Sequence, residues 1–109
     1  MDKATNKKLI DFIAEVAKKY SNFSTAYLFG SYAKGTENKD SDIDVALLFD
    51  HLKSEDKFDL QVQLMLTGAN YDSRIEPHPI SKEDYELGSP YISEIAKDGI
   101  EILPSSLEV

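Results

Sequence analysis

Residues 28–45 decide the fold, and they read LFGSYAKGTENKDSDIDV. The β-prone run 24–29 ends in Gly30, and residues 31–37 can form a short helix that Gly35 weakens. After a polar loop, residues 42–49 first alternate between polar and apolar side chains and then become continuously apolar. The stretch therefore predicts a strand, a sharp turn into a short helix, and a central strand whose polar end carries carboxylates.

The flanking sequence predicts helices on both sides of this unit. Residues 5–20 show an amphipathic pattern with lysines on the outer face, and residues 90–97 predict a short helix before a possible strand at 100–103. Ser54 is a candidate N-cap for a further helix that ends near Gly68 and Asn70. The predicted buried stripe of that helix consists of Phe58, Val62, Met65, Leu66 and Ala69.

Residues 73–80 predict a strand at the edge of the sheet, since Pro77 and Pro79 cannot donate backbone hydrogen bonds. Strand alternation assigns Arg74, Glu76 and His78 to one face. The order of elements, αβαβαβα, predicts an α+β fold in which helices back a small mixed sheet. We expect one domain that covers residues 1–109.

Composition restricts the function further. The absence of cysteine excludes disulfides, thiolate metal sites and a cysteine nucleophile. Twenty acidic against twelve basic residues give a net charge of −8, which opposes binding to a phosphate backbone, so nucleic acid is not an expected partner. The N-terminal residues lack the apolar run of a signal peptide or a membrane span. We therefore expect a cytoplasmic protein that does not bind membranes.

The turn at Gly30 and Ser31 is the first candidate site. A P-loop requires lysine directly after its last glycine, where this chain has Thr36, and the pattern GxGxxG fails at Tyr32. What remains is a Gly-Ser pair between a strand and a helix, where glycine permits close backbone approach and free N–H groups favour an anion. Ser31 adds a hydroxyl donor.

Asp42 and Asp44 form the second candidate site. They lie two residues apart at the start of a strand, so their side chains point to the same side. Clustered oxygen ligands suit the two ions, about 3.5–4 Å apart, that catalyse many phosphoryl and nucleotidyl transfers. Mg²⁺ is the expected occupant because it prefers hard oxygen ligands and nucleotide phosphates complete its shell.

The pattern Gly30-Ser31, ten residues, Asp42-x-Asp44 resembles the signature of the polymerase-beta-like nucleotidyltransferases, specifically their minimal single-domain members. The resemblance implies that the Gly-Ser turn holds the phosphates of a nucleoside triphosphate and that the aspartates bind metal. It also implies a third carboxylate on a neighbouring strand. We assign that position to Glu76, although aspartate is commoner in the family. Lys34 is a further candidate ligand of the triphosphate.

Each of these residues also has a purely structural interpretation. Gly30 and Ser31 can be an ordinary strand exit with a helix cap, and an isolated aspartate can be solvated or protect an edge strand. Glu76 can be a surface carboxylate paired with Arg74 or Lys82. Four matches at a fixed spacing on a strand–helix–strand frame favour the functional interpretation over these alternatives.

The resemblance implies an enzyme that transfers AMP from ATP to a hydroxyl. Minimal members are commonly encoded beside a helical HEPN-type toxin, which implies an antitoxin that modifies a tyrosine of that partner. The alternative is a binding module that neutralises the partner by contact alone. Adenylylation of a small molecule and polymerase activity are further possibilities, but larger relatives carry additional domains, and length and charge oppose a polymerase.

Overall fold

Five helices and four strands make up residues 1–102, which are the residues that the computed structural model describes, apart from the side chain of Tyr91. The strands form one mixed sheet in the order β3-β2-β1-β4. β1 pairs antiparallel with β2 and β4, whereas β2 and β3 are parallel. The predicted α+β fold is confirmed. The elements in chain order are α1 (Lys3–Lys19), β1 (Phe23–Phe29), α2 (Ser31–Lys34), β2 (Ile43–Phe49), α3 (Ser54–Ala69), β3 (Ile75–Ser81), α4 (Lys82–Leu87), α5 (Pro90–Asp98) and β4 (Ile100–Ile102).

Most predicted boundaries lie within a few residues of the observed ones, and the differences have local causes. α2 ends at Lys34 because Gly35 adopts a left-handed conformation with φ of 74°. Helix α4 was not predicted, although the Ser81 hydroxyl caps it by accepting the Asp84 amide at 2.9 Å. Leu103 of the predicted final strand lies outside the described residues. Within residues 1–102, no helix is long and apolar enough to cross a membrane.

The sheet has an apolar cluster on each face. Leu9, Phe12 and Val16 of α1 and Leu64 of α3 pack on one face against β2. On the other face, Ile92 and Ile95 of α5 pack with residues of β1, β2 and β3. β2 is therefore buried on both faces, as its continuously apolar run predicts.

The predicted buried stripe of α3 is wrong. Its members Phe58, Val62, Met65, Leu66 and Ala69 are exposed, and the buried residues of the helix are Leu64, Thr67 and Gly68. Gly68 explains the rotation, because a Cβ there would lie 3.2 Å from the Ile75 side chain and 3.5 Å from Phe12. The helix thus approaches the sheet through its small residues, which turns the apolar stripe outward. Ser54 is its first residue rather than its N-cap, which is Lys53.

Candidate active site

Strand register brings three separate segments of the chain to one end of the sheet. Asp44 lies opposite Phe29 in the antiparallel β1–β2 pair and opposite Glu76 in the parallel β2–β3 pair. Because Gly30 directly follows Phe29, the Gly-Ser turn and the carboxylates of two strands meet there. The structure thus brings together the Gly-Ser turn, Asp44 and Glu76, which lie in three separate parts of the sequence.

Gly30 is required by its position in the turn. Its φ of 73° lies in the left-handed region that favours glycine, and a Cβ would lie only 2.5 Å from the Asp44 Oδ2 atom. The backbone of the turn therefore packs directly against the Asp44 carboxylate. Ser31 follows as the first residue of α2 and is half-buried.

The carboxylates at this end of the sheet, those of Asp42, Asp44 and Glu76, bring like charges close together. A side-chain hydrogen bond with Asp42 raises the pKa of Glu76, and burial and the charges of Asp44 and Asp42 raise that pKa further. Asp42 is exposed, just before β2, whereas Asp44 and Glu76 are half-buried. The cluster therefore favours binding of a proton or a cation.

His78 belongs to this cluster although the sequence did not identify it as a site residue. Its Nε2 atom lies 3.2 Å from Asp44 Oδ1 and 4.0 Å from Glu76 Oε1. Its ring packs on Phe29 with a centroid distance of 5.2 Å. The available signal was strand alternation, which assigns His78 to the face of Glu76; a single histidine on a strand is too common to single out.

The donor atoms fit a divalent cation. One carboxylate oxygen from each of Asp44 and Glu76 and a ring nitrogen of His78 all lie within 4.8 Å of one another. Carboxylate oxygens are typical Mg²⁺ ligands, and a cation would relieve the repulsion that raises the pKa of Glu76. Asp42 is not among these three residues, although a side-chain hydrogen bond joins it to Glu76.

Lys34 is held by an ion pair. Its Nζ atom donates to the Glu94 Oε1 atom of α5 at 3.2 Å, and both side chains are about half exposed. Its charge is thus partly balanced within the protein. The assignment of Lys34 to the triphosphate stays a prediction.

Arg74 has a structural role that the alternation pattern did not predict. Its guanidinium donates to Asp72 Oδ2 at 2.8 Å, to the Tyr32 hydroxyl at 2.9 Å and to the Thr5 hydroxyl at 3.2 Å. The hydrogen bonds from Arg74 lower the pKa of Asp72 to about 2. Arg74 therefore connects α1, α2 and the segment before β3. Its partner is Asp72 and not Glu76. Lys82 does not pair with Glu76 either, since its Nζ atom lies 4.0 Å from Asp50 Oδ1.

The family of the chain follows from sequence comparison. Residues 11–105 match the model of the family described as Polymerase beta, Nucleotidyltransferase. The chain belongs to this nucleotidyltransferase family. No curated protein has a significant sequence match to it.

Solved structures with the same fold include nucleotidyltransferases and toxin–antitoxin proteins. A proposed nucleotidyltransferase of Sulfolobus solfataricus is 21% identical with a TM-score of 0.63, over 93% of this chain and 87% of that one. A chain of a toxin–antitoxin structure with AMP-PNP is 25% identical with a TM-score of 0.57, over 87% and 69%. A chain of an MntA–HpeT toxin–antitoxin variant is 23% identical with a TM-score of 0.56, over 89% and 70%.

Proposed function

We propose that this nucleotidyltransferase transfers AMP from ATP to a tyrosine hydroxyl of a helical HEPN-type toxin and thereby acts as an antitoxin in the cytoplasm. The observation that carries the proposal is the contact between the Gly30 turn and Asp44, beside Glu76. A phosphate-binding backbone and metal-binding carboxylates must lie this close for a nucleotide to bridge them.

In this proposal, Asp42, Asp44 and Glu76 hold two Mg²⁺ ions, with His78 positioned against Asp44. Ions held there would supply positive charge for the triphosphate and for the attacking and leaving oxygens. Gly30 and Ser31 bind the phosphates through backbone N–H groups and a hydroxyl, and Lys34 supports them by exchanging its partner Glu94 for phosphate.

The transfer exchanges one P–O bond for another. The tyrosine oxygen forms a bond to the α-phosphorus of ATP while the bond from that phosphorus to pyrophosphate breaks. The hydroxyl proton passes to a carboxylate oxygen of Glu76, which acts as the general base. Pyrophosphate leaves as the second product.

The choice of a protein acceptor is supported by charge and by the related structures. A net charge of −8 disfavours nucleic acid as the acceptor and favours a partner with basic surface. Solved structures with this fold include toxin–antitoxin proteins, and one of them was solved with AMP-PNP, an ATP analogue.

The direct test is incubation of the chain with Mg-ATP and the product of the neighbouring gene, which this proposal expects to be the HEPN-type toxin. We expect intact-mass analysis to find one or more added AMP units on that protein, and none when chelator is present. The Asp42→Asn/Asp44→Asn variant serves as the control for catalysis. Suppressed toxicity of a partner whose mass is unchanged would instead support neutralisation by contact alone.

A further inference from the structure

Helix α3 carries an apolar face that the described part of the protein does not cover. Phe58 is 66% exposed, Val62 39%, Met65 50% and Leu66 62%. Their spacing places them on one side of the helix, together with Ala69 and opposite the buried Leu64 and Thr67. We call Phe58, Val62, Met65, Leu66 and Ala69 the α3 patch.

The α3 patch is uncharged over most of its length and acidic at one end. Residues 60–71 include no charged side chain, whereas Glu55, Asp56 and Asp59 accompany the single basic residue Lys57 in the first turns. A contiguous exposed apolar surface with a charged rim is typical of a protein interaction site. Helix α1 shows the usual solvent face instead, with Lys7, Lys18 and other lysines exposed.

The C-terminal end of α3 lies near the strand ends that carry the carboxylates. α3 connects the parallel strands β2 and β3, so it runs back to the end of the sheet where both strands begin. Gly68 near its C-terminus packs on Ile75, the neighbour of Glu76. α3 packs on one face of the sheet, whereas Asp44 and Glu76 lie on the opposite face. Because β3 is the edge strand, a partner on α3 can reach that face around β3 to bring a hydroxyl to the site.

We propose that the α3 patch is the docking surface for the toxin, through an apolar helical face of the toxin that is flanked by basic residues. This inference rests on the proposed function, which supplies the partner. The acidic rim and the net charge of −8 are complementary to a basic partner. The same charge disfavours a second copy of this chain as the occupant.

The test measures, in the absence of ATP, the affinity of the chain for the product of the neighbouring gene, which the proposed function expects to be the toxin. We expect Met65→Gln/Leu66→Gln to weaken binding by about 100-fold, since apolar anchors dominate interface energy. Gln63→Ala is the matched control, because Gln63 is exposed on the same helix outside the patch and should bind as the wild type does. Thermal unfolding of both variants should match that of the wild type, and Leu66→Gln alone replaces the double variant if the latter is less stable.

A change at the acidic rim tests the chemistry of the partner. Asp59→Lys should slow association and weaken its dependence on salt, with a smaller effect on the dissociation rate. An unchanged association rate would contradict a basic flank on the partner.

The outcomes separate docking from catalysis. If the toxin binds through the patch but gains no AMP, the docking proposal stands and the transfer proposal fails. If the double variant binds with wild-type affinity while the toxin is modified, the docking proposal is overturned. A wild-type dimer that the double variant dissociates would also overturn it, and a wild-type chain that does not bind the toxin would overturn both proposals.

Discussion

Asp72, just before β3, and the cluster of Asp42, Asp44 and Glu76 differ in how their negative charges are balanced. The Asp72 carboxylate is paired with the Arg74 guanidinium, which donates two side-chain hydrogen bonds to it at 2.8 and 3.0 Å. These hydrogen bonds contribute to lowering the pKa of Asp72 to about 2. A few residues further along, Glu76 shares its surroundings with Asp42 and Asp44, and its pKa is raised. The charge of Asp72 is balanced within the protein, whereas the cluster of Asp42, Asp44 and Glu76 favours an additional positive charge. The comparison separates a carboxylate that stabilises the fold from carboxylates suited to bind a metal-nucleotide.

The largest expected effect is the loss of transfer in Asp42→Asn/Asp44→Asn. Metal ions supply several kcal/mol of transition-state stabilisation, so the rate should fall by about 1000-fold or more. Stability should stay equal or rise, because the substitution removes like charges next to Glu76. Initial rates and denaturant unfolding measure the two effects. A variant that transfers AMP at the wild-type rate would refute the roles given to these residues.

Asp72→Asn should lower the stability of the fold and leave nucleotide binding unchanged. Its side chain is only 6% exposed and Arg74 loses its charged partner, so the free energy of unfolding should fall by about 2–3 kcal/mol. Affinity for Mg-ATP should stay within twofold of the wild type where the variant is folded. Urea unfolding and nucleotide titration check both. Loss of nucleotide affinity without loss of stability would reverse the contrast between the two groups.

The contributions of Asp72 and Glu76 to the free energy of unfolding should change in opposite directions as the pH rises. Asp72 has a lowered pKa, so its contribution is present above about pH 4 and is lost as the pH falls toward 2, in total about 2 kcal/mol. Glu76 has a raised pKa, so its contribution is greatest at low pH and is lost as the pH rises through that pKa. Unfolding curves of the wild type and Asp72→Asn should therefore converge by about 2 kcal/mol between pH 5 and pH 2. Parallel curves would show that Asp72 is not the titrating group.

The smallest expected effect is that of His78→Gln. His78 contacts Asp44 at 3.2 Å, and groups that orient or supplement metal ligands typically contribute about tenfold or more in affinity. We expect the Mg²⁺ requirement of nucleotide binding to shift to about tenfold higher concentration, with unfolding unchanged. Calorimetric titration measures the shift. An unchanged Mg²⁺ dependence would assign His78 a packing role against Phe29.

The central part of the fold was predictable because its pattern is local. The residues from Gly30 to Asp44 combine a turn signal, a polar strand end and a continuously apolar run, and their spacing alone indicates the family. The parallel register of Asp44 with Glu76, in contrast, is defined only by the pairing of β2 with β3 in the assembled sheet. Glu76 was expected near the aspartates from the family resemblance, and the register places it opposite Asp44.

The remaining differences arise from contacts between distant residues. The orientation of α3 depends on the close approach of Gly68 to Ile75 and Phe12, which no helical pattern reveals. The apolar stripe then had two possible partners, the core or another protein, and the sequence could not choose between them. His78 and Arg74 belong to one alternating pattern, yet one joins the carboxylates and the other pairs with Asp72.

Binding of Mg-ATP to the wild-type chain tests the central claim most directly. That claim is that the carboxylates of Asp42, Asp44 and Glu76 and the Gly30 turn form one metal-nucleotide site. At a hundredfold excess over the dissociation constant, a ligand of the native state adds about 2.7 kcal/mol to the free energy of unfolding. We predict a stabilisation of this size with millimolar Mg-ATP, which chelator and Asp42→Asn/Asp44→Asn both abolish. No stabilisation of the wild type, or an equal one in the variant, would contradict the account.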